Sequence, residues 1–123
     1  MAKAVEEFGT RHNSGKPRFT LISPYAMSGL VDVLGHGAKE YGDRNWEKGL
    51  PVEEILDSMN RHQNSLMKGE LIDKDSGLPH ADHILCNAMF LSHFYHRRID
   101  LFQQLIERGA NGEDKIVREC DCR

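Results

Sequence analysis

Long hydrophobic runs are what this sequence most plainly lacks: no apolar stretch approaches the roughly 20 residues that a membrane-spanning helix needs. The amino-terminal MAKAVEEFGTRHNSGK likewise carries no apolar segment like the heart of a secretory leader, so a cytoplasmic protein is expected. Cysteine is scarce and odd in number, three in all. Cys86 falls inside a helical pattern, while Cys120 and Cys122 form a C-x-C, and in a reducing compartment all three are expected as free thiols. Excess positive charge is missing too. A formal net charge of −3 argues against a general nucleic-acid binder, which is normally strongly basic.

What is present is an ordinary balance, 39% hydrophobic and 28% charged over 123 residues, which suits one domain able to bury a core without disulfide or metal staples. The periodicity is helical, with little sign of strand. A first helix is expected from Ser23-Pro24, a hydroxyl cap followed by the proline that suits the first helical position, to a stop at Gly42. Its apolar residues Ala26, Met27, Leu30, Val33, Leu34 and Tyr41 share one broad face. GDRNWEKGLP at 42–51 reads as a polar loop holding the single tryptophan, Trp46. A second helix over about 51–68 has Glu53 and Glu54 in its first turn, where the dipole favours acids, and a stripe of Ile55, Leu56, Met59, Leu66 and Met67. Residues 69–78 form a turn-rich connection, and Pro79 opens a third helix to about 98, with Ser76 or the Gly77 region as its cap. Leu101, Phe102, Leu105 and Ile106 either prolong that helix or form a fourth, ending near Gly109. The expectation is an all-α, single-domain bundle of about four helices over 21–110, with an irregular basic arm at 1–20 and a tail at 111–123 that is a short edge strand or disordered.

Polar residues interrupt the third helix in a pattern. At roughly 100° per residue, His80, His83 and Asn87 fall within about 60° of one another, beside Ile84, Ala88, Leu91 and Tyr95, so they border the expected core. Glu40 lies at the margin of the first helix's apolar face, whereas Asp32, His36 and Lys39 point away; His62 edges the second helix's stripe, with Arg61 on the solvent side. A polar pocket walled by Glu40, His62, His83 and Asn87, with Trp46 over its mouth, is the arrangement expected if these helices pack as a bundle. His80 and His83 at i, i+3 could meet one metal ion. The plainer alternative is that the histidines satisfy neighbouring carbonyls or carboxylates. The His-Asp order of metal-dependent HD hydrolases is reversed here as Asp82-His83. Direct recognition of a base or sugar by imidazole and asparagine, with Tyr41 or Trp46 stacking, is a third reading. Arg11, His12, Lys16 and Arg18 in the arm, and His96, Arg97 and Arg98, form basic clusters that suit small anions or simply face solvent.

The ordered segments GKPRFTLISPYAMSGL, GAKEYGDRNWEKGLP, RHQNSLMKGE and DSGLPHADHILCN make the chain similar, over about residues 15–95, to the phage-associated dATP/dGTP diphosphohydrolase N-terminal domain family. The spaced set of Lys-x-Arg, Gly-Ala-Lys, Tyr-Gly-x-Arg-Asn-Trp, Arg-His and His-x-x-His-x-x-x-Asn carries the resemblance. It implies nucleotide handling in phage control of purine deoxynucleotide pools within an infected host cell. The positions it marks are Lys16, Arg18, Glu40, Tyr41, Arg44, Asn45, Trp46, Arg61, His62, His80, His83 and Asn87.

MazG-like pyrophosphohydrolases, to which full-length enzymes of this kind are similar, hold Mg²⁺ through Glu-Glu-x-x-Glu and a later Glu-x-x-Asp. Here the nearest counterparts are EEILD at 53–57, with Glu54 and Asp57 facing solvent, and HADH at 80–83, with imidazoles in place of acids. Because hard Mg²⁺ prefers oxygen, an intact magnesium cage is not expected. One expectation is an enzyme in which Glu40, His62, His80 and His83 hold a divalent metal (Co, Mn, Mg or Zn), and Glu40, His62 and His83 carry the chemistry. Lys16, Arg18, Tyr41, Arg44, Asn45, Trp46, Arg61 and Asn87 then bind a purine dNTP that is cut to dNMP and pyrophosphate. The alternative is a metal-free protein that sequesters a cyclic or ADP-ribose-derived defence signal unaltered; another treats the polar stripe as hydrogen bonding between helices. A homo-oligomer is expected from Met89, His93 and His96, which lie opposite the third helix's core stripe.

Overall fold

The computed structural model describes residues 7–111, so Cys120, Cys122 and the expected tail lie outside the described residues. The fold is all-α, and among the described residues it comprises four helices and no strand: α1 (Pro24–Tyr41), α2 (Val52–Met67), α3 (His80–Arg97) and α4 (Gln103–Asn111). No helix among them is long and apolar enough to cross a membrane.

Local chemistry sets the helix ends. Ser23 caps α1, its Oγ accepting from the Ala26 amide at 3.1 Å, a bond worth about 1 kcal/mol in such positions. Gly42 ends it at φ 98°, a left-handed conformation that a side chain resists. α2 begins behind Pro51 with Glu53 and Glu54 in its first turn. α3 begins behind Pro79 with no side-chain cap, so Ser76 does not serve there; its hydroxyl is engaged elsewhere. The backbone breaks at Arg98 (φ −143°, ψ 60°), and a 3-10 turn at Ile99–Phe102 leads into α4, so the last apolar segment is a separate helix that runs past Gly109.

α3 is the central element, packed on both α2 and α1. It runs antiparallel to α2, since Ser58 meets Asn87 while His62, one turn further along α2, meets His80. The buried apolar residues come from all three helices: Val33, Val52, Ile55, Cys86 and Phe94, the last fully enclosed. A Cβ at Gly29 would run into the Asp82 carboxylate, so glycine there sets the close approach of α1 to α3.

The buried face of α3 is rotated from the one its apolar periodicity suggests. It runs through His80, Cys86, Asn87 and Phe94, while Tyr95 is 61% exposed. Trp46 is the reason. From a 3-10 turn at Asn45–Lys48 its ring packs on Phe90 (centroids 5.1 Å apart), Phe94 (6.1 Å) and, edge-on, His93 (4.9 Å), drawing the core toward that side of α3. His93, expected on the outer face, is therefore in contact with Trp46, and the polar stripe sits in the middle of the packed face instead of along its border. Met27, Tyr41 and Met67, expected on core faces, are 47%, 68% and 80% exposed, each in the first or last turn of its helix.

Phe94→Ala should destabilise the fold by about 3–5 kcal/mol, the usual range for emptying a large buried aromatic site. Urea unfolding monitored by circular dichroism measures it, and a loss under about 1 kcal/mol would contradict the packing described.

Candidate functional site

The twelve residues between α2 and α3 do more than connect. Asp73 and Leu78 bond across the segment (Asp73 N–H to Leu78 C=O, 2.9 Å), Gly77 donates to the Asp73 carbonyl (2.7 Å), and Ile72 pairs with Pro79 in an isolated bridge. The tight turn uses the positive φ of 76° that Gly77 supplies. It folds the Asp73 carboxylate back against the start of α3, where Oδ2 accepts from the Ser76 amide (3.0 Å) and hydroxyl (2.8 Å).

Three histidines meet this turn. His62 Nδ1 and His80 Nδ1 are 2.8 Å apart, and the His62 ring stacks face to face on His83, centroids 4.4 Å apart and planes within 3°. His83 Nε2 lies 2.7 Å from Ser76 Oγ and 3.6 Å from Asp73 Oδ2. Because the Ser76 hydroxyl gives its one hydrogen to Asp73, Nε2–H of His83 donates to Ser76, which also accepts from the Leu78 amide. One ligand atom from each of His62, Asp73 and His80 falls within a 4.8 Å span, a set of two imidazoles and a carboxylate that can hold a divalent cation.

Electrostatics favour the charged form of Asp73 and the neutral forms of His62 and His83. Burial works to raise the Asp73 carboxyl, but the two Ser76 hydrogen bonds, aided by His83 and His62, outweigh it and hold it below its ordinary value. Burial lowers His62, as do the neighbouring His83 and His80, with Asp73 opposing. Burial also lowers His83 against the pull of Asp73. The Cys86 thiol, raised to about 11 by burial, stays protonated and unreactive.

Two adjoining cavities meet here. The smaller, about 510 Å³, is lined by His62, Asp73, Ser76, His80 and His83 together with Arg61 and Asp75. The larger, about 950 Å³, is lined by Tyr41, Arg44, Asn45, Trp46, Asn87 and Phe90 among others. His36, Glu40 and His83 line both. His36, expected to point away, thus faces the site. Glu40 is exposed at the rim, and Arg61 is exposed where it lines the smaller cavity. Asn87 is buried and donates to Ser58 Oγ (3.3 Å) and the His83 carbonyl (3.1 Å). Arg44, in a left-handed conformation at φ 57°, pairs with Glu47. Trp46 lines the larger cavity. Lys16 and Arg18 are exposed and line neither cavity. Asp73 has no counterpart among the sequence-based candidates, and Ser76 enters the site in place of its expected capping role; Asp-x-x-Ser-Gly within the turn-like DKDSGLPH, whose side chains bond one another, is the signal the sequence offers.

Fold and site define an all-α protein with an imidazole-carboxylate cluster between two antiparallel helices. A family model described as dATP/dGTP diphosphohydrolase, N-terminal, matches residues 6–103, and the chain belongs to that family. It is 36% identical over 83 residues to a protein of Salmonella phage PMBT28 named dATP/dGTP diphosphohydrolase, an alignment covering 68% of this chain and 28% of the relative. The chain thus matches less than a third of that relative's length. No solved structure matches it.

Folded-state values below the ordinary 6.5 mean that His62 and His83 bind protons more weakly in the native than in the unfolded chain. Stability from these two is complete above pH about 6.5 and falls as pH drops through the lowered values. With metal chelated, the urea midpoint should decrease from about pH 7.5 to about pH 5.5, and His83→Gln should flatten that decrease. The Asp73 contribution is lost only below its ordinary 3.8, outside this window.

Proposed function

We propose that this chain handles purine deoxynucleotides as a dATP/dGTP diphosphohydrolase, converting dNTP to dNMP and pyrophosphate. The observation that carries the reading is the convergence of His62, Asp73, His80 and His83 on the smaller cavity, which His83 joins to the larger one, in a chain of this family. The name of the phage relative supplies the substrate class.

In this reading the purine occupies the larger cavity, whose volume is within the range of small-ligand pockets, against Tyr41, Trp46 and the Asn45 amide. The phosphates extend into the smaller cavity, where Arg61 and, from the neighbouring rim, Arg44 offer positive charge. A water attacks the α-phosphorus, the bond from that phosphorus to the bridging oxygen breaks, and pyrophosphate leaves. His83, kept neutral by burial, is suited to accept the proton that the water gives up. Asn87 holds the His83 carbonyl and so the local helix backbone. The nitrogen and oxygen donors of His62, Asp73 and His80 fit a divalent ion, which when bound would supply positive charge to the phosphates and make a water more acidic. Lys16 and Arg18 have no part in this arrangement.

Incubation of the purified protein with dATP or dGTP and Mn²⁺, Co²⁺, Zn²⁺ or Mg²⁺ should yield dNMP and pyrophosphate, and EDTA should abolish the products. His83→Ala should lower kcat by about 10²–10⁴-fold, the usual contribution of a positioned base. Release of unchanged nucleotide from the heated protein, with no dNMP under any metal, would replace hydrolysis by retention.

A further inference from the structure

We propose that His62, Asp73 and His80 form a binding site for a divalent transition ion of the zinc class, with Asp73 as the carboxylate that completes it. The inference deepens the hydrolytic reading, since the site is the one assigned there to phosphate chemistry, but metal uptake is measured without any nucleotide.

The two imidazoles present Nδ1 to Nδ1 at 2.8 Å. When both are neutral, one nitrogen must carry the hydrogen of an N–H···N bond, and the other directs its lone pair at the same point. Among the described residues this is the only side-chain hydrogen bond that either ring makes, although His80 is 6% exposed. A buried imidazole is ordinarily matched to a carbonyl, a carboxylate or a metal, so a second imidazole as its sole partner is an unusual use of a buried position.

Asp73 supplies the third donor. Both bonds from Ser76 go to Oδ2, so among the described residues the other carboxylate oxygen is left without a partner. Metal–nitrogen and metal–oxygen bonds of about 2.0–2.2 Å in a tetrahedron place ligand atoms about 3.3 Å apart. The histidine nitrogens are slightly closer than this, and a rotation of the Asp73 side chain would bring in the carboxylate from within the 4.8 Å span. Three protein ligands leave a fourth position for water or a phosphate oxygen, the pattern of open zinc sites. Two nitrogens out of three donors select against Mg²⁺, which binds oxygen and gives up water reluctantly.

His83 has a different task. Its ring lies parallel to that of His62, a geometry unlike two imidazoles converging on one ion, and its Nε2 donates to Ser76. Through Ser76 it orients Asp73, as outer hydrogen-bond partners commonly orient metal ligands. Glu40 remains at the rim, outside the cluster. The ligand set is thus His62, Asp73 and His80, with Asp73 taking the carboxylate role expected of Glu40.

The test uses the full chain stripped with EDTA and freed of nucleotide. Isothermal titration with Zn²⁺ and elemental analysis after desalting should give one ion per chain, Co²⁺ should produce the visible bands of a tetrahedral site, and Mg²⁺ should not compete. Asp73→Asn, close in shape to the original, and His62→Gln should each weaken Zn²⁺ binding at least 100-fold, since even outer-sphere changes lose about 10–100-fold. Asp75→Asn, which alters an acid in the same cavity, should bind as the parent does. Circular dichroism of each variant identifies a loss caused by unfolding, and Asp73→Asn decides the matter if His62→Gln fails to fold. Equal Zn²⁺ affinity in the parent and Asp73→Asn, or competition by Mg²⁺ at similar concentrations, would overturn the site. Tight Zn²⁺ binding without hydrolysis sinks the enzymatic reading alone; hydrolysis without Zn²⁺ binding sinks this site alone.

Discussion

The antiparallel packing of α2 on α3 is the contact on which the rest of this molecule depends. It places His62 opposite His80 and His83, and Ser58 opposite Asn87, so two helical turns of one helix face their polar counterparts on the other. The buried apolar residues adjoin this seam: Val52 and Ile55 on α2, Cys86 and Phe94 on α3, with Val33 reaching in from α1. Burial of these groups supplies the driving force, and the register they impose decides which polar groups meet.

A polar seam inside so small a core carries a physical penalty. Buried polar groups are tolerated when their hydrogen bonds are made, and a half-satisfied network is worse than an apolar one. One oxygen of Asp73 is well satisfied: Ser76 donates to it twice, His83 donates to Ser76, and the resulting charge on Asp73 is favoured despite burial. The His62–His80 pair is different, because two identical groups face one another where an acid or a carbonyl would have been the stabilising partner. The Ser76-held oxygen of Asp73 is thus the structural part of the cluster, and its other oxygen with the imidazole pair is the part available for chemistry.

Membership of the dATP/dGTP diphosphohydrolase N-terminal family is consistent with a site built in this place, between helices of a bundle. The donor types distinguish it from an all-carboxylate magnesium cage. Glu53, Glu54 and Asp57 of α2 are exposed, and Glu53 is occupied with Arg108 of α4, tying the last helix to the second. The acids of α2 therefore belong to the surface, while the inward residues of the same helix are Ser58 and His62. Opposite them, Trp46 anchors the irregular segment after α1 against α3, and so brings Asn45 and Arg44 alongside the second cavity.

The helices were legible in the sequence because their determinants are local. Ser23-Pro24 and Gly42 bound α1 through a side-chain cap and a permissive φ; Pro51 and Pro79 precede α2 and α3; and apolar residues recur at the helical period. His62, His80, His83 and Asn87 stood out for the same reason, as polar residues placed near apolar stripes. The rotation of α3 was not legible, since it depends on the distant Trp46 ring packing between Phe90, His93 and Phe94. Nor was Asp73, whose place beside His62 requires the α2–α3 turn to close and the two helices to pack. Local sequence thus determined where helices begin and end and which residues carry donor atoms. Only tertiary structure decided which donors share a cavity, because that depends on how burial rotates one helix against another, a sum over contacts between residues far apart in the chain.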